Sequence, residues 1–210
     1  MILIGMFDSP FVRRVAVSMH VLGVAFEHRD WSTGRDAALI RRYNPLGRVP
    51  TLVLDDGEVL FESAAVLDHL DQQAGPERAL LPPGGRARRD ALTLAALATG
   101  VADKTVAMVY ERVYRPEDKR HAPWLARCRA QVEGALAALE AQCAARAGHD
   151  WLVGERMTQA DITLACCCTF AAEAVPFDLS PWPALQARVA RYEALPALQR
   201  FHVAFDAPTS

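Results

Sequence analysis

The sequence holds no C-x-x-C pair, no tyrosine before Tyr43 and no cysteine before Cys128. The five cysteines are Cys128, Cys143 and the run Cys166-Cys167-Cys168, and no histidine pair stands near them at zinc-site spacing. That disfavours a local dithiol redox centre and a zinc module. Three consecutive helical residues point about 100° apart, so the run cannot supply one ligand face. The cysteines read as buried small apolar residues in a reducing compartment, with no metal and no prosthetic group expected. A long basic run is also missing, and the net charge is only −2. Nucleic acid and anionic membrane are therefore unexpected partners. No uninterrupted apolar run approaches the roughly 20 residues of a membrane span. The apolar start Met1–Gly5 lacks a charged flank and is broken by Asp8 and Pro10, so it reads as neither signal nor anchor, and a cytoplasmic location is expected. Neither an internal repeat nor a low-complexity tail is found.

The 210 residues suffice for two domains. The first third alternates element types. Residues 2–7 read as a strand, 10–21 as a helix, 25–30 as a strand and 36–43 as a short helix. Asn44-Pro45-Leu46-Gly47 is a turn signal. Residues 51–54 and 58–61 read as a hairpin joined by Asp55-Asp56-Gly57. Ser63 then opens a helix. The order is β-α-β-α-β-β-α. A stretch from Ala74 to Gly85 carries three prolines and three glycines and reads as a linker. Beyond it the pattern is helical throughout, near 87–113, 121–147, 158–173 and 184–203 with a break at Pro196. The expected architecture is an α/β domain over 1–76, a linker over 77–86 and an all-helical domain over 87–210.

Three segments carry chemistry. In Ser9-Pro10-Phe11, serine is a preferred helix cap and proline a preferred first helical residue, so Ser9 by itself reads as a simple cap. The same place also sets a hydroxyl at the positive end of a helix, where a thiol is drawn toward thiolate. In Arg48-Val49-Pro50-Thr51, the X-Pro bond entering a strand is a candidate cis peptide, and the Val49 backbone stays free for an outside strand. An ordinary proline at a strand start fits equally well. In Glu62-Ser63, Ser63 reads as a helix cap, and its hydroxyl with the following N–H groups suits a carboxylate. Glu62 suits an ammonium group. An α-amino-acid end presents both charges together, although plain capping explains the pair too.

In this order and spacing the three segments resemble the N-terminal domain of glutathione transferases, whose fold is a thioredoxin-like domain followed by an all-α domain. The resemblance implies that Ser9 is the catalytic hydroxyl, stabilising the thiolate of glutathione rather than acting as nucleophile. It implies that Phe11, Arg48, Val49, Pro50, Glu62 and Ser63 bind glutathione, which is a co-substrate. It extends along the chain through Trp151-Leu152-Val153-Gly154, the Thr158-x-x-Asp161 capping box and the closing Trp182-Pro183 and Tyr192-Glu193-Ala194-Leu195 segments. Thr158 and Asp161 are assigned a structural role, with Met157 and Ile162 spaced as a hydrophobic staple. A second, apolar pocket for the electrophile is expected between Phe11 and the first long helix, with Met108, Tyr110, Tyr114 and Trp124 as wall candidates. The resemblance further implies a homodimer built on that helix, with Asp103 and Lys104 reaching toward the partner's glutathione.

Position 9 is neither cysteine nor tyrosine, and the double serine/cysteine motif of maleylacetoacetate isomerases is missing. Ser-Pro-Phe is closer to serine-type members, including plant tau-like ones. The expected function is transfer of glutathione to a small apolar electrophile. A glutathione-dependent peroxidase or disulfide reductase would use the same site. A non-catalytic partner of the stringent-starvation or translation-factor type shares the fold without using glutathione.

Overall fold

The computed structural model describes residues 1–175 and 177–207. Its N-terminal part holds β1 (Ile2–Ile4), α1 (Pro10–Leu22), β2 (Glu27–Arg29), α2 (Ala37–Ile40), β3 (Thr51–Val53), β4 (Val59–Phe61) and α3 (Ser63–Ala74). The strands form one mixed sheet in the order β2-β1-β3-β4, with β1 parallel to β2 and antiparallel to β3. The β3–β4 hairpin closes the edge, pairing Thr51 with Phe61 and Val53 with Val59.

β1 stops at Ile4 instead of running to residue 7, because Gly5 turns the chain. Its φ is +132°, and a Cβ there would lie 2.6 Å from Val12 Cγ2 and 2.8 Å from Val49 Cβ. Only glycine lets the β1–α1 turn pass this close to Val49. Helix α1 starts with proline at its first position and ends at Gly23, which is left-handed. The Gly23 and Val24 N–H groups close the last turn on His20 and Met19 carbonyls.

The remainder is helical: α4 (Gly85–Val113), α5 (Ala122–Ala145), α6 (Gln159–Ala174), α7 (Pro183–Glu193) and α8 (Pro196–Gln199), with a 3-10 turn at Glu117–Lys119. α4 packs against both α5 and α6, and α6 packs on α1. By length and mean hydropathy α4 reaches what a membrane span requires, more than the sequence reading credited to any segment. Here it serves as a core helix, interrupted by Asp103 and Lys104.

Asp161 organises the start of α6. Its Oδ2 accepts from Thr158 N and Thr158 Oγ1, while Oδ1 accepts from Leu152 N at 2.9 Å and Tyr192 Oη at 2.6 Å. The Thr158 hydroxyl in turn accepts from Ala160 N. The box therefore does more than cap a helix: it ties α6, the 151–154 loop and α7 into one buried network.

Two further polar devices join the parts. Arg13 on α1 reaches Glu193 on α7 through two bonds of 2.8 and 2.5 Å and also donates to the Leu198 carbonyl. Gln159 on α6 donates to Ser18 on α1 at 2.9 Å. Asp71 near the end of α3 accepts from Leu80 and Leu81 N–H, pinning the linker to the helix it follows. All five cysteines are free and buried.

Candidate active site

Ser9 occupies the cap position of α1, but its hydroxyl makes no capping bond. The carbonyl of Ser9 accepts from Arg13 N at 2.9 Å, so the helix starts properly while the side chain stays uncommitted. Ser9 lines a cavity of about 430 Å³ between the β1–α1 turn, the 46–49 loop and α4. Phe11, Arg48 and Val49 border the same cavity, as do Tyr110 and Tyr114. The two tyrosines meet edge to face, with ring centroids 5.2 Å apart.

The loop before β3 is fixed by Asn44, which is fully buried. Its Nδ2 donates to the Arg48 carbonyl at 2.9 Å and to Thr51 Oγ1 at 3.2 Å, and its Oδ1 accepts from Leu46 N at 3.0 Å. The Val49–Pro50 peptide that follows is cis. Gly5 leaves room for Val49 to rest against the turn that carries Ser9.

Glu62 and Ser63 lie at the opposite end. Ser63 was expected to cap its helix; instead Glu62 holds the cap position and Ser63 is the first helical residue. The cause is local: the Glu62 carbonyl already accepts from Val66 N at 3.1 Å. Glu62 has φ +66°, a left-handed conformation rare for a residue with a side chain, and such strain collects at functional positions. Its carboxylate pairs with Arg48 Nη1 at 3.2 Å. Phe11, Arg14, Arg48, Glu62, Ser63 and Asp103 together border a second cavity, also about 430 Å³. Phe11 and Arg48 are common to both cavities, so the two adjoin.

Arg14 escaped the sequence reading. It is 6% exposed, its Nε has no hydrogen-bond partner, and it forms no ion pair among the described residues. Burial pulls its guanidinium below the ordinary value. A buried, unpaired cation beside Ser63 is suited to an incoming carboxylate. In sequence it is one of two adjacent arginines on α1. Only the packing separates Arg13, which Glu193 claims, from Arg14.

The wall candidates divide. Tyr110 and Tyr114 line the first cavity. Met108 does not: it is 1% exposed and lies in the core, because it projects from the buried side of α4. Trp124 is not on the cavity either; Lys104 lies over its ring, 5.9 Å from the centroid. Val106, Val109, Phe170 and Phe205 form the apolar walls that spacing alone did not single out. Asp103 borders the second cavity of its own chain, and Lys104 does not join it.

Residues 3–78 match the glutathione S-transferase N-terminal domain, and residues 102–196 match the C-terminal domain of the same enzymes. The chain belongs to the glutathione S-transferase family. It is 30% identical over 139 residues to the uncharacterized GST-like protein YibF of Escherichia coli K12, covering 66% of this chain and 67% of that one. Its fold is similar to a Methylobacterium radiotolerans glutathione S-transferase solved with glutathione sulfonate: TM-score 0.88, 31% identity, 100% of this chain and 95% of that one. It is also similar to a Pseudomonas fluorescens Pf-5 glutathione transferase family member solved with bound glutathione: TM-score 0.84, 34% identity, 97% of this chain and 99% of that one. Within this family member, the α/β part carries Ser9, Val49, Glu62 and Ser63, while α4, α6 and the C-terminal segment supply most of the apolar walls.

Proposed function

We propose that this protein is a glutathione transferase that binds reduced glutathione along the second cavity and adds its sulfur to a small apolar electrophile held in the first. The observation that carries the reading is the adjoining of the two cavities at Phe11 and Arg48, with polar groups on one side and apolar walls on the other. The γ-glutamyl end meets Glu62, the N-terminus of α3 at Ser63 and the unpaired Arg14. The cysteinyl backbone pairs with Val49, as an added strand would. The sulfur lies by Ser9 at the N-terminus of α1.

A free thiol near pKa 8.5 is mostly protonated at neutral pH. The uncommitted Ser9 hydroxyl donates to the sulfur, and the helix terminus favours its negative charge. The thiolate then attacks an electrophilic carbon. Glutathione is consumed as co-substrate, and no prosthetic group takes part. We divide the chain at the 77–86 linker and assign residues 1–76 to glutathione and 87–210 to the electrophile. The exposed part of α4, with Leu92 at 45% exposure, suits a homodimer. Five free buried cysteines fit a reducing compartment such as the cytoplasm.

Calorimetric titration with reduced glutathione tests the reading, with the Glu62→Ala/Ser63→Ala double variant alongside. Binding in the micromolar-to-millimolar range, lost in the variant, is expected. Absence of binding to the wild type would overturn it.

A further inference from the structure

His28 on β2 borders neither the cavity at Ser9 nor the one at Glu62, and the glutathione reading gives it no task. Two contacts tie it to the turn that carries Ser9. Its Nε2 meets the Gly5 carbonyl at 2.8 Å, and its ring lies flat on Phe7, with centroids 3.8 Å apart and planes 7° from parallel. A carbonyl only accepts, so Nε2 carries the proton and donates.

The bond to Gly5 replaces one that the sheet would otherwise supply. β1 and β2 pair in parallel with Leu3 opposite His28. Glu27 N donates to the Met1 carbonyl at 3.0 Å, and Gly5 N donates to the Arg29 carbonyl at 2.9 Å. The next rung of a parallel ladder would run from Trp31 N to the Gly5 carbonyl. Trp31 N turns back to the Arg29 carbonyl instead, at 2.8 Å. The chain thus leaves the sheet one bond early, and a side chain takes up the carbonyl that the backbone gives up. Gly5 is buried, so a carbonyl left without a donor there would be costly.

What this arrangement holds in place is the thiol site. Gly5 is fixed at its N–H by Arg29, at its carbonyl by His28 and at its α-carbon by Val12 and Val49. The carbonyl of Met6, the next residue, accepts from Ser9 N at 3.2 Å. Phe7 is clamped between the His28 ring and Phe201, which meets it edge on at 5.3 Å. The Ser9 hydroxyl makes no capping bond that would fix it from its own side. It therefore stands where this turn puts it.

We propose that His28 is a positioning residue for Ser9. By holding the Gly5 carbonyl and the Phe7 ring, it sets the distance from the Ser9 hydroxyl to the glutathione sulfur, while the Val49 backbone sets the place of the sulfur. The proposal rests on the glutathione reading above. His28 touches neither glutathione nor electrophile, so its effect passes through the hydroxyl. A hydrogen bond weakens steeply as its angle closes and its length grows. A turn loosened by a fraction of an ångström is therefore enough to weaken the hold on the thiolate.

The test is ultraviolet titration of the bound thiolate with pH, at saturating reduced glutathione, with binding checked by calorimetry on the same samples. Wild type, His28→Phe, His28→Gln, Ser9→Ala and the Ser9→Ala/His28→Phe double variant are compared. Phenylalanine keeps a ring on Phe7 and removes the donor; glutamine brings an amide N–H to the place of Nε2. In His28→Phe the thiolate should appear at higher pH, by about 0.5–1 unit, which lowers its population at neutral pH about 3–10-fold. His28→Gln should recover most of that shift. On Ser9→Ala the His28→Phe change should add no further shift, because no hydroxyl is left to place. A role confined to stability would lower the melting temperature and leave the titration unmoved. Nitrogen NMR of the wild-type imidazole gives a readout that needs no variant to fold: the neutral ring should carry its proton on Nε2. An unmoved titration in His28→Phe, an equal shift in both single His28 variants, a further shift on Ser9→Ala, or a neutral ring protonated on Nδ1 would overturn the proposal. If the wild type still binds glutathione and Ser9→Ala still moves the titration, the glutathione reading survives that result. Failure of the wild type to bind glutathione would remove both.

Discussion

The side-chain amide of Asn44 donates to the Arg48 carbonyl at 2.9 Å and so sets the loop that delivers Arg48 and Val49 to the site. Three bonds converge on this one buried side chain, and two of them hold backbone groups of residues 46 and 48. Asn44→Ala would leave the Leu46 N–H without this partner and the Arg48 carbonyl with only the Thr51 hydroxyl, and would open a gap where a fully buried side chain stood. The expected loss of stability is about 2–3 kcal/mol by urea unfolding. Glutathione affinity, read by calorimetry, should fall as well, because the Val49 backbone loses its fixed position.

Ser9 separates two roles that the sequence left entangled. A capping serine replaced by alanine costs about 1 kcal/mol. The Ser9 hydroxyl makes no cap bond, so Ser9→Ala should change thermal stability by less than that. The ultraviolet signal of bound thiolate should instead appear at higher pH, by about 1–2 units, the worth of one hydrogen bond to a charged acceptor. An unmoved thiolate titration, or a large drop in melting temperature, would return Ser9 to capping.

Asp161 serves four donors, so its loss should exceed that of an ordinary cap. Asp161→Ala is expected to cost roughly 3–5 kcal/mol, since it strands buried N–H and hydroxyl groups together. Tyr192→Phe removes one of the four bonds and should cost about 1–2 kcal/mol. In the double variant the losses should fall short of additive, which a double-mutant cycle by urea unfolding measures.

Asp71 gives the stability a pH dependence with a definite sign. Burial raises its carboxyl above the ordinary value, against the lowering effect of the Leu80 and Leu81 N–H groups. The folded state therefore holds that proton more tightly than the unfolded one. Stability contributed by the protonated carboxyl is complete below the unfolded value near 3.9 and is lost as pH rises through the raised folded value. The stability advantage of wild type over Asp71→Asn should shrink between pH about 4 and pH about 7. Urea unfolding at both values checks it; an advantage that grows with pH would contradict the sign.

Much of the fold was legible because its signals are local. Proline at the first position of α1, the Asp55-Asp56-Gly57 turn and the Thr158-x-x-Asp161 box each act within a few residues. Strand ends were read too long where a single glycine, Gly5, turns the chain for a contact with Val49 that lies 44 residues further on. The start of α3 at Ser63 was legible, but its cap is Glu62 and not Ser63, because Glu62 adopts a conformation that its residue type does not advertise. Met108 and Tyr110 are two residues apart on one helix, yet one faces the core and the other the cavity, and that depends on which sides α5 and α6 cover. Arg14 was missed for a related reason. What marks it is the absence of an ion-pair partner among the described residues, and partners are decided by the whole chain.

Arg13, Arg14 and Ser18 are buried on a helix of the N-terminal part; Arg13 finds its side-chain partners in the C-terminal part, and Ser18, which donates to the Arg14 carbonyl, accepts there from Gln159. The pieces that look separable in sequence are thus unequal to independent life. Severed at the linker, the first piece would face water with charges and hydroxyls set for a dry contact, and the second would keep Glu193 and Gln159 with nothing to hold. Heating should therefore melt the chain as one cooperative unit. Inheritance meets the same constraint: the walls on α4 and the C-terminal segment are free to vary with the electrophile, while the inner face of α1 must stay matched to α6 and α7.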